Sequence, residues 1–299
     1  MRHHFGDFLD REGGYWSMTP NRERYGQDLR DIAPGTKGVT VATIGRDSDD
    51  WQRVFTLPDL VELTLHEPAE AQLARLGELP ALRRLRITHA RPKNLQPLAA
   101  LAKVEELVLE YVSGFDDLSP LRGMTALRAL HVENLRRVRD FGGLAGCAAL
   151  RFLAIYGTSD WKQPIADFEF ARGLPGLEVL NMWQVKCAAP FPATLPLTRL
   201  PRLRQLGVHR SYLPAEECAL LEQGLPGVEG AAYGPWERRI FASGTHPSGQ
   251  EACFEFTGTG SGRVRVDAKT AAARCAEFEA RYETLRAQAR QLLDGQNGT

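Results

Sequence analysis

Apolar residues recur along the chain in a nine-residue phrase, L-x-x-L-x-x-L-x-L, written most fully at Leu174-Pro175-Gly176-Leu177-Glu178-Val179-Leu180-Asn181-Met182. The phrase occurs eight times, opening at Leu57, Leu79, Leu101, Met124, Cys147, Leu174, Leu200 and Leu225, with successive spacings of 22, 22, 23, 23, 27, 26 and 25 residues. Its last two anchors always alternate around one residue: Leu63/Leu65, Leu85/Ile87, Leu107/Leu109, Leu130/Val132, Leu153/Ile155, Leu180/Met182, Leu206/Val208 and Ala231/Tyr233. A period of two predicts a strand with one buried face. Returns this long do not suit hairpins, so the strands are expected to stack in parallel, one per coil, with the returns on the outer side.

The returns carry a smaller echo. Asn94-Leu95-Gln96-Pro97-Leu98 matches Asp117-Leu118-Ser119-Pro120-Leu121, and Asp140-Phe141 and Asp167-Phe168 follow more loosely. A polar cap followed by apolar residues and a proline predicts a single 3₁₀ turn. Residues 68–76 and 214–223 read as short helices. The expected organisation is an α/β solenoid over 57–233 with a cap at each end. Residues 1–56 form the first cap, with a strand near Tyr15–Met18 and a degenerate repeat anchored at Val39 and Val41. Residues 234–299 form the second. There Cys253–Phe256 and Arg263–Val266 alternate around Gly258, Gly260 and Gly262, which predicts a β-hairpin. A helix then runs to Asp294 and stops at Gly295, with Cys275, Phe278, Tyr282, Leu285, Ala289 and Leu292 on one stripe. Caps are required because a bare end coil would expose the core.

Composition adds mainly exclusions. The chain has 299 residues, and its 37 Lys plus Arg balance 37 Asp plus Glu. Without a basic excess, nucleic acid and anionic membranes are not the expected partners. There is no apolar run long enough to span a bilayer. The first residues lack the apolar stretch of a secretory signal. Five scattered cysteines without a CxxC fit neither a disulfide framework nor a zinc site. A cytoplasmic protein is therefore expected.

The phrase and its N/D-L-x-P-L return resemble the leucine-rich-repeat family. The match is to the short 22-residue class typified by the protein phosphatase 1 regulatory subunit and shared by bacterial internalins. It covers residues 57–233. The resemblance implies a right-handed solenoid with a concave parallel sheet and a convex side of short helices and 3₁₀ turns. It implies no particular ligand, because members of the family read different partners. One departure stands out. Where the family places Asn or Cys after each strand to form a hydrogen-bonded ladder, this chain has Pro68, Ala90, Val112, Leu135, Thr158, Val185 and Ser211. The strand-to-return turns are therefore expected to be less regular.

Alternation assigns the residues between and beside the anchors to the concave face. One column reads His66, Thr88, Glu110, Glu133, Tyr156, Trp183 and His209, with Phe152, His131 and Asn181 in adjoining columns. Clustered aromatics on a concave sheet suit a protein-binding surface, here Tyr156, Trp183 and His209 with His131, Asn181, Phe152 and Arg210. The competing reading is that a cap or loop folds over them and they are core. Arg84 and Arg86 face Glu106 and Glu110, read as a cross-strand ion-pair ladder. His66, His131 and His209 stand too many strands apart to share a metal ion, so neither metal nor cofactor is expected. Gly258, Gly260 and Gly262 lack phosphate-loop spacing, and no HExxH, GxSxG or Ser/His/Asp set occurs. The expected function is non-catalytic protein binding through the concave face. The alternative is a bacterial immunity or inhibitor protein that blocks a partner enzyme, with Glu106, Glu110, Glu133, Asp116 and Asp117 mimicking a nucleic-acid backbone.

Overall fold

Each apolar–x–apolar pair folds as a short strand, and the strands add one by one to a single parallel sheet. The structure, a computed structural model, describes residues 9–12, 15–18, 29–242 and 250–297. Phe5, Phe8 and Tyr25, expected in the first cap, lie outside them. Strands β1 (Leu9–Glu12) and β2 (Tyr15–Met18) pair antiparallel. The main sheet comprises β3 (Val41–Gly45), β4 (Glu62–His66), β5 (Arg84–Thr88), β6 (Glu106–Glu110), β7 (Ala129–Glu133) and β8 (Phe152–Tyr156). After β9 (Gln163–Ile165) come β10 (Val179–Trp183), β11 (Val185–Cys187) and β12 (Gln205–Val208). The sheet runs β3-β4-β5-β6-β7-β8-β10-β12, eight parallel strands in chain order. With 3₁₀ turns and short helices on the returns, this is an α/β solenoid of stacked coils with one parallel sheet, the architecture the repeat predicted. No helix among the described residues is long and apolar enough to cross a membrane.

The anchor leucines share one continuous core, in which Leu63, Leu85, Leu107, Leu130, Leu153, Leu180 and Leu206 are fully buried. The returns repeat one local device. Asn94, Asp117, Asp140 and Asp167 each accept, through Oδ1, the backbone N–H two residues on, at 2.6–2.9 Å. These bonds open 3₁₀ turns at Gln96–Ala100, Ser119–Gly123, Gly142–Leu144 and Glu169–Gly173. That satisfies a backbone donor which the turn would otherwise leave bare.

The strand-to-return turns are regular, contrary to expectation. Glu67, His89, Tyr111, Asn134 and Gln184, each directly after a strand, have φ between 48° and 58°. The N–H groups of Glu67, His89, Tyr111 and Asn134 bond the last strand carbonyl of the next coil at 2.8–2.9 Å, as does that of Gly157. Backbone supplies the ladder, so no single side-chain type is needed. Gln163 covers one further turn, accepting from Leu135 N at 3.0 Å and donating to Val138 O at 2.8 Å.

Two repeats differ from the pattern expected of them. In the degenerate copy Ala42 and Ile44 lie in register with Leu63 and Leu65 and take the two strand positions expected of Val39 and Val41, while Val39 packs partly buried against the same core. The larger Ile44 fills the core position. At the other end, Ala231 and Tyr233 are buried but form no strand; the coil touches the sheet through one bridge, Gln205 to Glu229. Gly230 turns the chain away at φ 80°, packed against Leu206 O, where a Cβ would lie 2.3 Å from that oxygen.

The longer coils hold extra structure. Their added residues form β9 and β11, a second small parallel sheet beside the main one. The C-terminal part has three strands, not a hairpin alone: β13 (Trp236–Ala242), β14 (Gln250–Phe256) and β15 (Arg263–Arg265) pair antiparallel in that order. Between β14 and β15, Gly258, Gly260 and Gly262 all have positive φ, the turn conformation their spacing predicted. Helix α1 (Glu70–Ala74) lies on an early return, and α2 (Ala215–Gly224) packs against α3 (Ala271–Asn297). Helix α3 continues through Gly295, because a helix tolerates glycine where no following residue forces a stop. Cys275, Tyr282 and Ala289 of its predicted stripe are buried.

Candidate functional site

Neighbouring parallel strands stand about 4.8 Å apart, so concave side chains pack shoulder to shoulder into rows. The row nearest the first coils is charged. Arg84 bridges Glu62 at 2.7 Å and Glu106 at 3.2 Å. Arg86, fully buried, donates from Nε at 2.9 Å and from Nη2 at 2.5 Å to the same Glu110 oxygen. The expected ion-pair ladder is present, but much of it is buried. Burial pushes the Glu106 carboxyl up to about 7, against the opposing pull of Arg84 and Arg128. Pairs of this kind lose solvation that their Coulomb attraction only partly returns.

The middle of the face is apolar. Val108, Ala129, Phe152, Ala154 and Val179 form a buried cluster separate from the leucine core, with Tyr156 packed against it. Phe152 and His131 were expected to be open to a partner; both are 0% exposed. Alternation places them on the right side of the sheet but does not show how tightly that side is packed. His131 meets the Tyr156 ring edge-on at 4.9 Å, and neither of its ring nitrogens has a hydrogen-bond partner among the described residues. Burial, with the nearby Glu133 charge, raises the Tyr156 phenol above its ordinary value.

The later coils remain open. Trp183 is 40% exposed and its ring lies 6.3 Å from that of Tyr156. Asn181 and His209 are half-buried, and Gly207 is exposed. The Asn181 amide occupies the space above Gly207, where an added Cβ would lie 2.2 Å from Asn181 Oδ1. His209 bonds Ser211 Oγ through Nδ1 at 2.8 Å, and Arg239 of β13 donates to its Nε2 at 2.5 Å. Burial lowers the His209 pKa, and the Arg239 and Arg210 charges add to that, against Glu255. The ring is a neutral acceptor for Arg239.

Arg210 does not belong to this surface. It is buried, donates to Thr257 Oγ1 at 2.8 Å and to Tyr233 O at 3.0 Å, and pairs with Glu237 at 3.2 Å. It ties the last coil to the C-terminal strands. The acidic reading also loses its basis: Glu106, Glu110 and Glu133 are buried, and only Asp116 and Asp117, on a return, are exposed. The Arg136 guanidinium lies 4.6 Å over the Trp161 ring. The five cysteines are all free thiols.

Sequence reasoning missed the β13 residues that meet His209, because nothing in the chain order marks Arg239 as a neighbour 30 residues away. Alternation did place Trp183, which is exposed, and Asn181, which is half-buried, on the concave side.

No protein-family model matches the chain, and no curated protein does. Among solved structures it is similar to the internalin InlF of Listeria monocytogenes, at 19% identity and a TM-score of 0.43 over 56% of this chain and 47% of that one. It is similar to internalin C2 of the same species at 23% identity and a TM-score of 0.41, over 56% of this chain and 67% of that one. A complex of TLR13 with a single-stranded RNA follows at 16% identity and a TM-score of 0.24, covering 52% of this chain and 33% of that one. The chain thus spans about half the length of InlF.

Proposed function

We propose that the chain is a non-catalytic protein-binding scaffold whose partner docks at the C-terminal end of the concave face, around Trp183. A single observation carries this reading. On a face where the Phe152 ring is buried, Trp183 stays 40% exposed beside Tyr156. An exposed tryptophan ringed by half-buried polar groups is what a desolvating contact uses. Asn181 offers both donor and acceptor at its edge. His209 presents a neutral ring there, so its contacts do not depend on an imidazolium charge.

The test is a Trp183→Ala, Tyr156→Ala double variant used as bait from the native host. The fold should persist by circular dichroism, because Trp183 is outside the leucine core. Capture of the partner should fall about 30-fold or more, the loss typical of a central anchor. Undiminished capture would remove the concave face from consideration.

A further inference from the structure

His131 stands out in the interior. It is fully buried, and both ring nitrogens lack a hydrogen-bond partner among the described residues. Buried polar groups are normally paired. Its surroundings are not simply apolar. Nε2 lies 3.8 Å from Glu133 Oε2 on the same strand, two residues on and on the same face. Glu110 lies directly opposite Glu133 in the β6–β7 register. One donor atom each from Glu110, His131 and Glu133 falls within 4.8 Å of the others, and all three residues are buried.

We propose that Glu110, His131 and Glu133 bind a first-row divalent transition-metal cation of the Zn²⁺ and Mn²⁺ class. One imidazole nitrogen and two carboxylates form a donor set that such ions accept. Metal–ligand bonds of about 2.0–2.2 Å require donors about 3–3.5 Å apart, so the side chains need to close by at most about 1.5–2 Å. Arg86 then acts behind the first ligands. Its two hydrogen bonds hold one Glu110 oxygen and orient that carboxylate, as outer-sphere partners of metal ligands do. Three protein donors leave a position for solvent in a four-coordinate ion. The site involves none of the exposed residues around Trp183 and stands independently of the docking reading.

The test uses the whole chain, stripped with EDTA, incubated with Zn²⁺ alone, desalted and assayed for metal. The wild type should retain about one Zn²⁺ per chain and melt at a higher temperature when loaded. His131→Gln and Glu133→Gln should each retain at least about tenfold less after the same treatment. If either variant fails to fold, Co²⁺ in the wild type decides: a visible d–d band with a paramagnetically shifted imidazole N–H resonance supports the site. No retained Zn²⁺ in the wild type, equal retention in the folded variants, or a Co²⁺ spectrum without an imidazole signal would overturn it and leave His131 as a packed ring.

Discussion

Glu106 shows how single residues on this face set the response of the protein to pH. Its carboxyl is buried beside Arg84, and its pKa rises from 4.5 to about 7. The folded chain therefore holds a proton there that the unfolded chain has already released. Stability is highest below pH 4.5 as far as this group is concerned, and it falls as pH rises through the window to about 7. The slope reaches at most about 1.4 kcal/mol per pH unit. Glu106→Gln should flatten that descent in urea titrations run across the window and leave the variant more stable at pH 8; an unchanged slope would show that Glu106 does not carry it. This residue also marks a limit of pattern reading. Alternation assigned Glu106, Phe152 and His131 to the concave side. Whether a concave position is open depends on the sizes of side chains on three or four neighbouring coils, which period alone does not report.

Among elements, the strands of the first seven repeats were legible because their signal is the core itself: one missing anchor exposes apolar surface; the eighth copy's Ala231 and Tyr233 are buried yet form no strand. The turns were not, because their regularity lies in backbone. Glu, His, Tyr, Asn and Gln all adopt the same positive φ, and only Asn favours it intrinsically. The one family marker available, the asparagine ladder, therefore pointed the wrong way. The longer coils are similar. Their extra residues announced an insertion, but the pairing of β9 with β11 rests on contacts between coils. Gly157 stands at that junction, where a Cβ would lie 2.3 Å from Gln184 O and 2.4 Å from Trp161 O. Both are backbone atoms and cannot rotate away. Gly157→Ala should cost about 1–3 kcal/mol by chemical denaturation. A neutral result would mean that the second sheet yields easily.

Across the molecule, the coils depend on their neighbours, so the ends matter as much as the middle. At the C-terminal end, α3 lies on α2 with Tyr282 fully buried against Ala215 and Ala219. Its hydroxyl donates to Glu222 Oε2 at 3.2 Å, and Arg286 pairs with the same carboxylate group. If this helix seals the last coil, Tyr282→Ala should lower the unfolding free energy by about 3–5 kcal/mol in one cooperative transition. A separate early transition, with the remainder unchanged, would show that α3 folds on its own account. The solenoid leaves Trp183 exposed on its concave side, in the coils that depart most from the 22-residue period.

Site-specific photocrosslinking in the native host tests the docking surface most directly. A benzoylphenylalanine replaces Trp183 in one variant and Ile240, an exposed residue of β13, in another. Docking around Trp183 predicts a discrete protein adduct from position 183, competed by unlabelled wild type, and none from position 240. Adducts of equal yield from both positions, or from 240 alone, would contradict it.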